Sequence, residues 1–279
     1  MGFSRRITSW LSGLALHAVL LAGAIIMVLP FLWMISSSLK DSTQVFQLPP
    51  QWIPNPPVWE NFKTAWEAIP LGQYYWNSIV VCGLTTIGQL ITSILAAYVF
   101  ARLDFPGKDV IFLVILGTMM IPDQVKMIPT FIVLRQFNWI DTFAGLIVPA
   151  LVHPFGIFML RQFFLGIPHE LEDAARMDGC SRLTILYRII LPLSKAPISA
   201  LAVFVFMFQW NAFLWPLIVL NSRENYTLQI GLAMLRGDVG TDWALQMAAT
   251  SLATIPVVLL FLVAQKQFIR GITLTGLKY

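Results

Sequence analysis

The stretch P-H-E-L-E-D-A-A-R-M-D-G-C-S-R-L-T-I-L-Y-R-I-I-L-P, from Pro168 to Pro192, decides how the chain is arranged. It is densely charged and has a helical pattern, whereas strongly apolar segments flank it on both sides. Its early carboxylates favour a helix start, because negative charge stabilises the positive end of a helix. Gly179 favours a helix end, since glycine takes the left-handed conformation readily. We therefore predict two short helices and a sharp turn, in a structured loop at a membrane surface, called here the charged loop (residues 168–192).

The composition is that of a membrane protein. Hydrophobic residues make up 57% of the 279 residues and charged residues 11%, and the mean hydropathy is +0.74. A charge at the centre of a bilayer costs roughly 2.5 to 3.5 kcal/mol on insertion scales, so long windows without charge locate the membrane spans. This composition excludes an ordinary soluble domain. The lack of a basic run with interleaved aromatic residues argues against nucleic acid as a partner.

Apolar windows predict an all-α polytopic membrane protein with six transmembrane helices. The predicted spans are residues 11–35, 75–101, 109–136, 143–160, 197–220 and 245–264. The third window contains Pro122 and Asp123, so it is either one kinked helix or a broken helix that lines a polar cavity. We expect Lys126, one turn further on, to pair with Asp123. In span four, His153 precedes Pro154, where it either bonds a carbonyl freed by the proline or takes part in transport.

The spans divide the chain into three parts. These are residues 1–70, with the first span and a Pro-rich loop, residues 71–265, the transmembrane core with the charged loop, and residues 266–279, a C-terminal tail. Trp52, Trp59 and Trp66 are typical of an anchor in the lipid headgroups or of a docking surface for a partner.

The basic residues predict the orientation. Twelve of the 18 Lys and Arg residues fall on the side of the charged loop, and six fall on the other side. Because cytoplasmic loops carry the excess of Lys and Arg, the bias places both termini and the charged loop in the cytoplasm.

The charged loop also carries a family resemblance. It has the spacing acid-Ala-Ala-x-x-x-Gly, then nine residues, then Ile-x-Leu-Pro, in the residues Asp173, Ala174, Ala175, Gly179, Ile189, Leu191 and Pro192. This pattern resembles the cytoplasmic coupling loop of membrane subunits in binding-protein-dependent ABC importers. The family usually has Glu at the position of Asp173.

Three further segments look like the carbohydrate-uptake subgroup of that family. They are M-I-P-x-x-V-x-M-I-P (residues 120–129), W-N-x-F-L-W-P-L (210–217) and G-I-T-x-x-G-x-K (271–278). The chain is similar in this respect to the second maltose permease subunit and to glycerol-phosphate permeases. The resemblance implies that residues 271–279 reach the ATPase interface.

The resemblance implies a permease subunit of an ATP-driven importer in a bacterial cytoplasmic (inner) membrane. The implied solute is a sugar or sugar-like polyol of the oligosaccharide, glycosylglycerol or glycerol-phosphate class. The implied partners are a second homologous permease subunit, two ATPase subunits, an extracytoplasmic solute-binding protein and membrane lipid. The chain has no phosphate-binding G-x-x-x-x-G-K-[ST] motif, so ATP and magnesium are expected on the ATPase subunits, and we expect no catalytic residue, cofactor or metal here.

The resemblance also implies which residues couple the chain to the ATPase, since the loop of that family inserts into a groove on the ATPase subunit. The expected coupling residues are Glu172, Asp173, Ala174, Ala175, Arg176, Asp178, Gly179, Ile189, Leu191 and Pro192.

Candidates for the solute pathway lie in the second half of the predicted span five. Gln209 and Asn211 carry neutral amides suited to hydroxyl groups, and Trp210 and Trp215 offer flat faces that can stack on sugar rings. Further candidates are Asn77 and Gln124. Polar residues in spans also bond neighbouring helices, so a purely structural role remains open for each of them.

Other functions remain as alternatives. One is an importer permease for a non-sugar solute such as amino acids or peptides. A secondary transporter needs inverted repeats and ion-coupling acids in mid-span, and an intramembrane enzyme needs a catalytic constellation; the sequence offers neither.

Overall fold

The computed structural model describes residues 2–237 and 240–275. The described part is mainly helical, which confirms the all-α prediction; its strands, β1 (Arg236–Gly237) and β2 (Gly240–Thr241), pair antiparallel and have two residues each. By contacts the chain divides into two compact units, residues 1–70 with 234–254 and residues 71–233 with 255–279.

In the first unit, α1 (Gly2–Ser38) is followed by the Pro-rich loop and α2 (Glu60–Ala68). The side-chain amide of Asn61 donates to the carbonyls of Ser38 (2.9 Å) and Lys40 (2.8 Å). The Lys40 ammonium lies 3.9 Å from the centre of the Trp33 ring. These contacts hold the start of the loop against the end of α1. The predicted anchor residues Trp52, Trp59 and Trp66 are all exposed.

The helices long and apolar enough to cross a membrane agree with spans one, two, four and six. They are Gly13–Ser38, Leu71–Arg102, Phe143–Leu165 and Trp243–Gln265, and two bent helix pairs bring the total to as many as six in the described part. The second is α3 (Leu71–Arg102), which is unbroken, and the last belongs to α14 (Trp243–Thr275). The predicted tail is therefore helical as far as Thr275, and residues 276–279 lie outside the described residues.

The third span is broken rather than kinked. It consists of α4 (Lys108–Gly117), a 3-10 turn (Thr118–Met120) and α5 (Asp123–Gln136), and its two parts are bent by 101°. Pro122 stands at the break with extended backbone, φ −56° and ψ 140°. Proline has no N–H to continue a helix, so the chain starts a new helix at Asp123.

Span four is interrupted between α6 (Phe143–Ala150) and α7 (Pro154–Leu165). The freed carbonyl of Leu151 accepts a hydrogen bond from the Thr92 hydroxyl of α3 (2.5 Å). Nδ1 of His153 accepts from the backbone N–H of Phe155 (3.3 Å) and so caps α7. The prediction that His153 bonds a freed carbonyl is therefore wrong. The break also frees the N–H groups at the start of α7, and the His153 ring accepts from one of these, while Thr92 donates to the freed carbonyl of Leu151.

The predicted span over residues 197–220 is not one continuous helix. The helix α11 (Lys195–Trp210) ends early, and α12 (Leu214–Val219) begins after a gap of irregular backbone. The backbone N–H (3.2 Å) and the side-chain amide (2.8 Å) of Asn211 both donate to the carbonyl of Met207 in the last turn of α11. Hydropathy continues across this gap, so it did not reveal the break. The chain continues through α13 (Leu228–Met234).

The main core of the second unit joins three spans to the charged loop. It contains Ala97, Tyr98 and Ala101 of α3, Leu160 and Phe164 of α7, and Leu201 and Val205 of α11, together with residues of the charged loop. One side of the charged loop therefore packs against α3, α7 and α11 in this core.

Candidate functional sites: the charged loop and the broken helices

The charged loop has the two predicted helices and the left-handed turn. The first helix is α8 (Glu170–Met177), and the second begins with α9 (Arg182–Ile185). Gly179 has φ +78° between them. The N–H of Gly179 donates to Arg176 (2.9 Å) and that of Cys180 donates to Ala175 (2.9 Å), so the turn satisfies the free carbonyls of α8.

The second helix of the loop continues beyond α9, as far as Leu193. A π turn (Leu186–Ile190) follows α9, and α10 (Leu191–Leu193) completes a helical segment that is bent by 81° against α11. Pro192 has no N–H to donate within the helix, and it stands in α10, which directly follows the π turn, a rare single-turn bulge in a helix. The loop therefore joins span five through a sharp bend at Ser194.

The two faces of α8 differ. Ala175 and Glu172 are buried against the chain's own core, whereas Met177 is 88% exposed. The expected coupling residues Asp173, Ala174 and Arg176 of α8, with Asp178 and Gly179 just after it, are exposed as well. Arg176 lies 3.5 Å from Asp173 within this face. Of the ten expected coupling residues, these outward ones can meet a partner directly.

The remaining expected coupling residues lie at the other end of the loop. Ile189 and Leu191 are partly buried against the main core, and Pro192 is exposed. The role of all these residues in coupling stays a prediction.

Glu172 forms a buried ion pair that the sequence did not reveal. Its Oε1 lies 2.7 Å from Nε of Arg102, and the two side chains are 1% and 0% exposed. Arg102 also donates to the carbonyl of Ile167 (2.6 Å) and contacts Nε2 of His169 (2.9 Å). Sequence reasoning counted Arg102 only as a basic residue at the end of a span, because nothing local points to a partner 70 positions away.

Trp210 is placed as a packing residue. Its side chain is 2% exposed, and its ring stacks on Phe206 (centroids 5.5 Å apart, 14° between planes) and meets Tyr75 edge-on at 5.6 Å. The Trp210 carbonyl accepts from the side chain of Gln229 (3.1 Å). A sugar ring can stack on Trp210 only if these neighbours move.

The other members of the same stretch, the amide segment (residues 209–215), are more accessible. Gln209 is partly buried and Asn211 is exposed at the break after α11. Trp215 is partly buried and packs on the cluster of Val219 and Leu146. Asn211 is therefore the one candidate of this stretch whose side chain is exposed.

Asn77 and Gln124 differ from each other. Asn77 is buried and its side chain donates to the carbonyls of Glu224 (2.7 Å) and Tyr226 (2.9 Å), so both of its amide hydrogens are used within the protein. Gln124 is exposed at the start of α5.

The break in span three lies close to the break in span four. Asp123 and Lys126 form an ion pair (2.7 Å), which confirms the expected pairing. Both charges are within electrostatic range of His153. The two breaks therefore bring ionisable groups near one another, with the Asp123 and Lys126 side chains 60% and 45% exposed. Among the described residues, no three His, Cys, Asp or Glu side chains converge as a metal site.

These features define a polytopic helical membrane protein with broken spans and a structured charged loop. A match over residues 89–274 with the family described as "Binding-protein-dependent transport system inner membrane component" goes further. The chain belongs to this family, and it is an inner membrane permease component of that transport class.

Named relatives cover almost the whole chain. The sn-glycerol-3-phosphate transport system permease protein UgpE of Yersinia enterocolitica is 34% identical over 264 residues, 92% of this chain and 94% of that protein. The arabinooligosaccharides transport system permease protein AraQ of Halalkalibacterium halodurans is 34% identical over 275 residues, 98% of this chain and 97% of that protein.

A solved structure has the same fold. A chain in the crystal structure of a bacterial ABC transporter involved in the import of the acidic polysaccharide alginate matches with a TM-score of 0.81 and 23% identity. The match covers 96% of this chain and 99% of that one.

Proposed function

We propose that this chain is a permease subunit of an ATP-driven importer for a sugar or a sugar-like polyol. What carries the proposal is that relatives named for glycerol phosphate and for arabino-oligosaccharides both align with more than nine-tenths of the chain. The exposed amide of Asn211 supports it, since neutral amides can replace the water around hydroxyl groups. Membership of a binding-protein-dependent family favours this function over an ion-coupled transporter.

In this proposal the chain works with a second permease subunit, two ATPase subunits that hold ATP and magnesium, and an extracytoplasmic solute-binding protein. The charged loop faces the cytoplasm and presents the outward side of α8 to the ATPase. The smooth exposed surface at Ala174 and Gly179 permits close approach. The chain itself has no catalytic role, and ATP hydrolysis supplies the work from outside it.

The test is reconstitution of the complete complex in lipid vesicles, with the ATPase rate and solute uptake followed together. Glycerol 3-phosphate, arabino-oligosaccharides, amino acids and short peptides are added in separate arms, each with the system's binding protein. We expect stimulation and uptake in a polyol or sugar arm alone. Uptake of amino acids or peptides would assign the chain to the non-sugar alternative, and uptake without ATP would contradict the proposal altogether.

A further inference from the structure

The unbroken helix α3 contacts both helices of the charged loop at its last turn. Arg102 forms the buried ion pair with Glu172 of α8 at 2.7 Å. One turn earlier on the same face, the Tyr98 hydroxyl donates to the carbonyl of Arg182 in α9 (3.3 Å). The end of α3 therefore holds the loop on both sides of the turn at Gly179.

The Arg102 guanidinium fixes more than one point of the loop. It donates to the carbonyl of Ile167 (2.6 Å) and contacts the His169 ring (2.9 Å) besides meeting Glu172. All of these atoms lie at the entry to α8, and the Glu172 carboxylate also has Arg176 at 3.9 Å. A planar guanidinium with several fixed contacts holds its orientation, so a shift of α8 either breaks these contacts or moves the end of α3.

A buried ion pair needs a reason beyond stability. Taking two charges out of water costs about as much as their attraction returns, and well-packed apolar residues usually serve a core equally well. Apolar contacts already surround this pair, since Ala97, Ala101 and Ala175 lie in the same core. The pair adds an electrostatic link between the two helices to that packing, and the contacts of Arg102 with the Ile167 carbonyl and the His169 ring orient the guanidinium.

The opposite end of α3 is tied to the loop that follows α12. Gln73 and Asn77 donate to the carbonyl of Glu224 (2.9 and 2.7 Å), and the Ser78 hydroxyl accepts from the N–H of Leu228 (2.8 Å). With 32 residues, α3 is about 48 Å long at 1.5 Å per residue. It thus connects the charged loop to the connector beyond the amide segment, without a break.

The covalent route from the charged loop is less direct. Towards span five the chain passes a π turn and an 81° bend before α11 begins. The 81° bend separates the axis of the second loop helix from that of α11, whereas α3 runs from end to end without a break.

We propose that α3 receives the displacement of the charged loop through the Arg102–Glu172 pair and delivers it to the loop at Glu224, which makes Arg102 a positioning residue for transport. This inference rests on the proposed function, because the displacement comes from the ATPase. In this inference the displacement of the charged loop passes through α3, and it enters α3 at the buried Arg102–Glu172 contact.

The test uses the complete complex in vesicles and measures solute imported per ATP hydrolysed. The main variant is the double change R102M/E172M, which removes both charges and leaves no unpaired one. We expect it to assemble and to hydrolyse ATP, with import per ATP lowered about fivefold or more, the range of ordinary coupling energies. R102K, which keeps the charge but loses the planar fork, should give an intermediate ratio.

The control is R135Q, which removes an exposed arginine of α5 and should leave the ratio unchanged. A wild-type ratio in R102M/E172M would overturn the inference. Failure of that variant to assemble would also overturn it, because the pair would then serve folding. If the wild-type complex lacks ATP-driven import, the proposed function itself fails, and the two failures are therefore distinct.

Discussion

The carboxylate of Asp141 accepts hydrogen bonds from both the backbone N–H (2.9 Å) and the hydroxyl of Ser222, 81 positions further along the chain. The N–H of Asn221 donates to the same carboxylate (2.9 Å), and the side chain of Asn225 donates to the Asp141 carbonyl (2.7 Å). One aspartate therefore fastens the connector between α5 and α6 to the loop after α12.

This arrangement predicts a pH-dependent stability. Burial raises the pKa of Asp141, but hydrogen bonds from Ser222, Asn221 and Asn225 outweigh it and lower the pKa from 3.8 to about 2. Because the pKa is lower in the folded protein, the stabilisation is fully present above pH 3.8 and is lost as the pH falls through about 2. The thermal midpoint in detergent of the wild type should exceed that of D141N at neutral pH, and the difference should vanish in this acid window.

Asparagine suits this comparison because Asp141 has φ 60°, a conformation that asparagine tolerates well. The substitution therefore removes charge without adding backbone strain. An equal difference between the two proteins at every pH would contradict the assignment.

Gly179 predicts a second outcome. With φ +78°, it occupies a region that costs other L-residues roughly 1–2 kcal/mol. No heavy atom lies within 4 Å of an added Cβ, so the cost is one of backbone conformation and not of collision. We expect G179V to reach the membrane but to lose attachment to the ATPase or coupling, as measured by co-purification and import. G179N should be nearly normal, since asparagine accepts a positive φ; equal defects in both variants would point to a contact instead.

The close approach of α7 to α3 predicts a third outcome. A Cβ at Gly156 would collide with the Ser93 hydroxyl. We expect G156A to lower the free energy of unfolding by about 1–3 kcal/mol, the usual cost of overpacking, as measured by thermal unfolding in detergent. G83A is the matched control within α3, because nothing lies within 4 Å of its added Cβ. A G156A protein as stable as G83A would show that the helices separate easily.

Two asparagines should separate structural from transport effects. N77A leaves the carbonyl of Tyr226 without the Asn77 donor and removes one of the two side-chain donors to the carbonyl of Glu224, so we expect a loss of stability of about 1–3 kcal/mol. N211A changes an exposed side chain and should leave the thermal midpoint almost unchanged while it lowers solute uptake. Normal uptake by N211A would remove Asn211 from the solute pathway.

The apolar windows predict α1, α3 and α14 because apolar runs of this length without charge are typical of membrane spans. The pairing of Asp123 with Lys126 was also predictable, since side chains three residues apart share one face of a helix. The break at Asn211 could not be predicted. A helix break depends on which freed backbone groups find new hydrogen bonds, and hydropathy does not measure hydrogen bonding. The Arg102–Glu172 pair and the Asp141 contacts escaped for another reason: each joins segments that only the tertiary fold brings together.

The π turn at Leu186–Ile190 also fixes the rotational phase of the helix that continues beyond it. An α-helix turns about 100° per residue, so an inserted residue that this turn does not absorb would swing Ile190 out of the core and face Pro192 in a new direction. The number of residues between Gly179 and Pro192 therefore determines which side chains of the second loop helix face the core and which face outward.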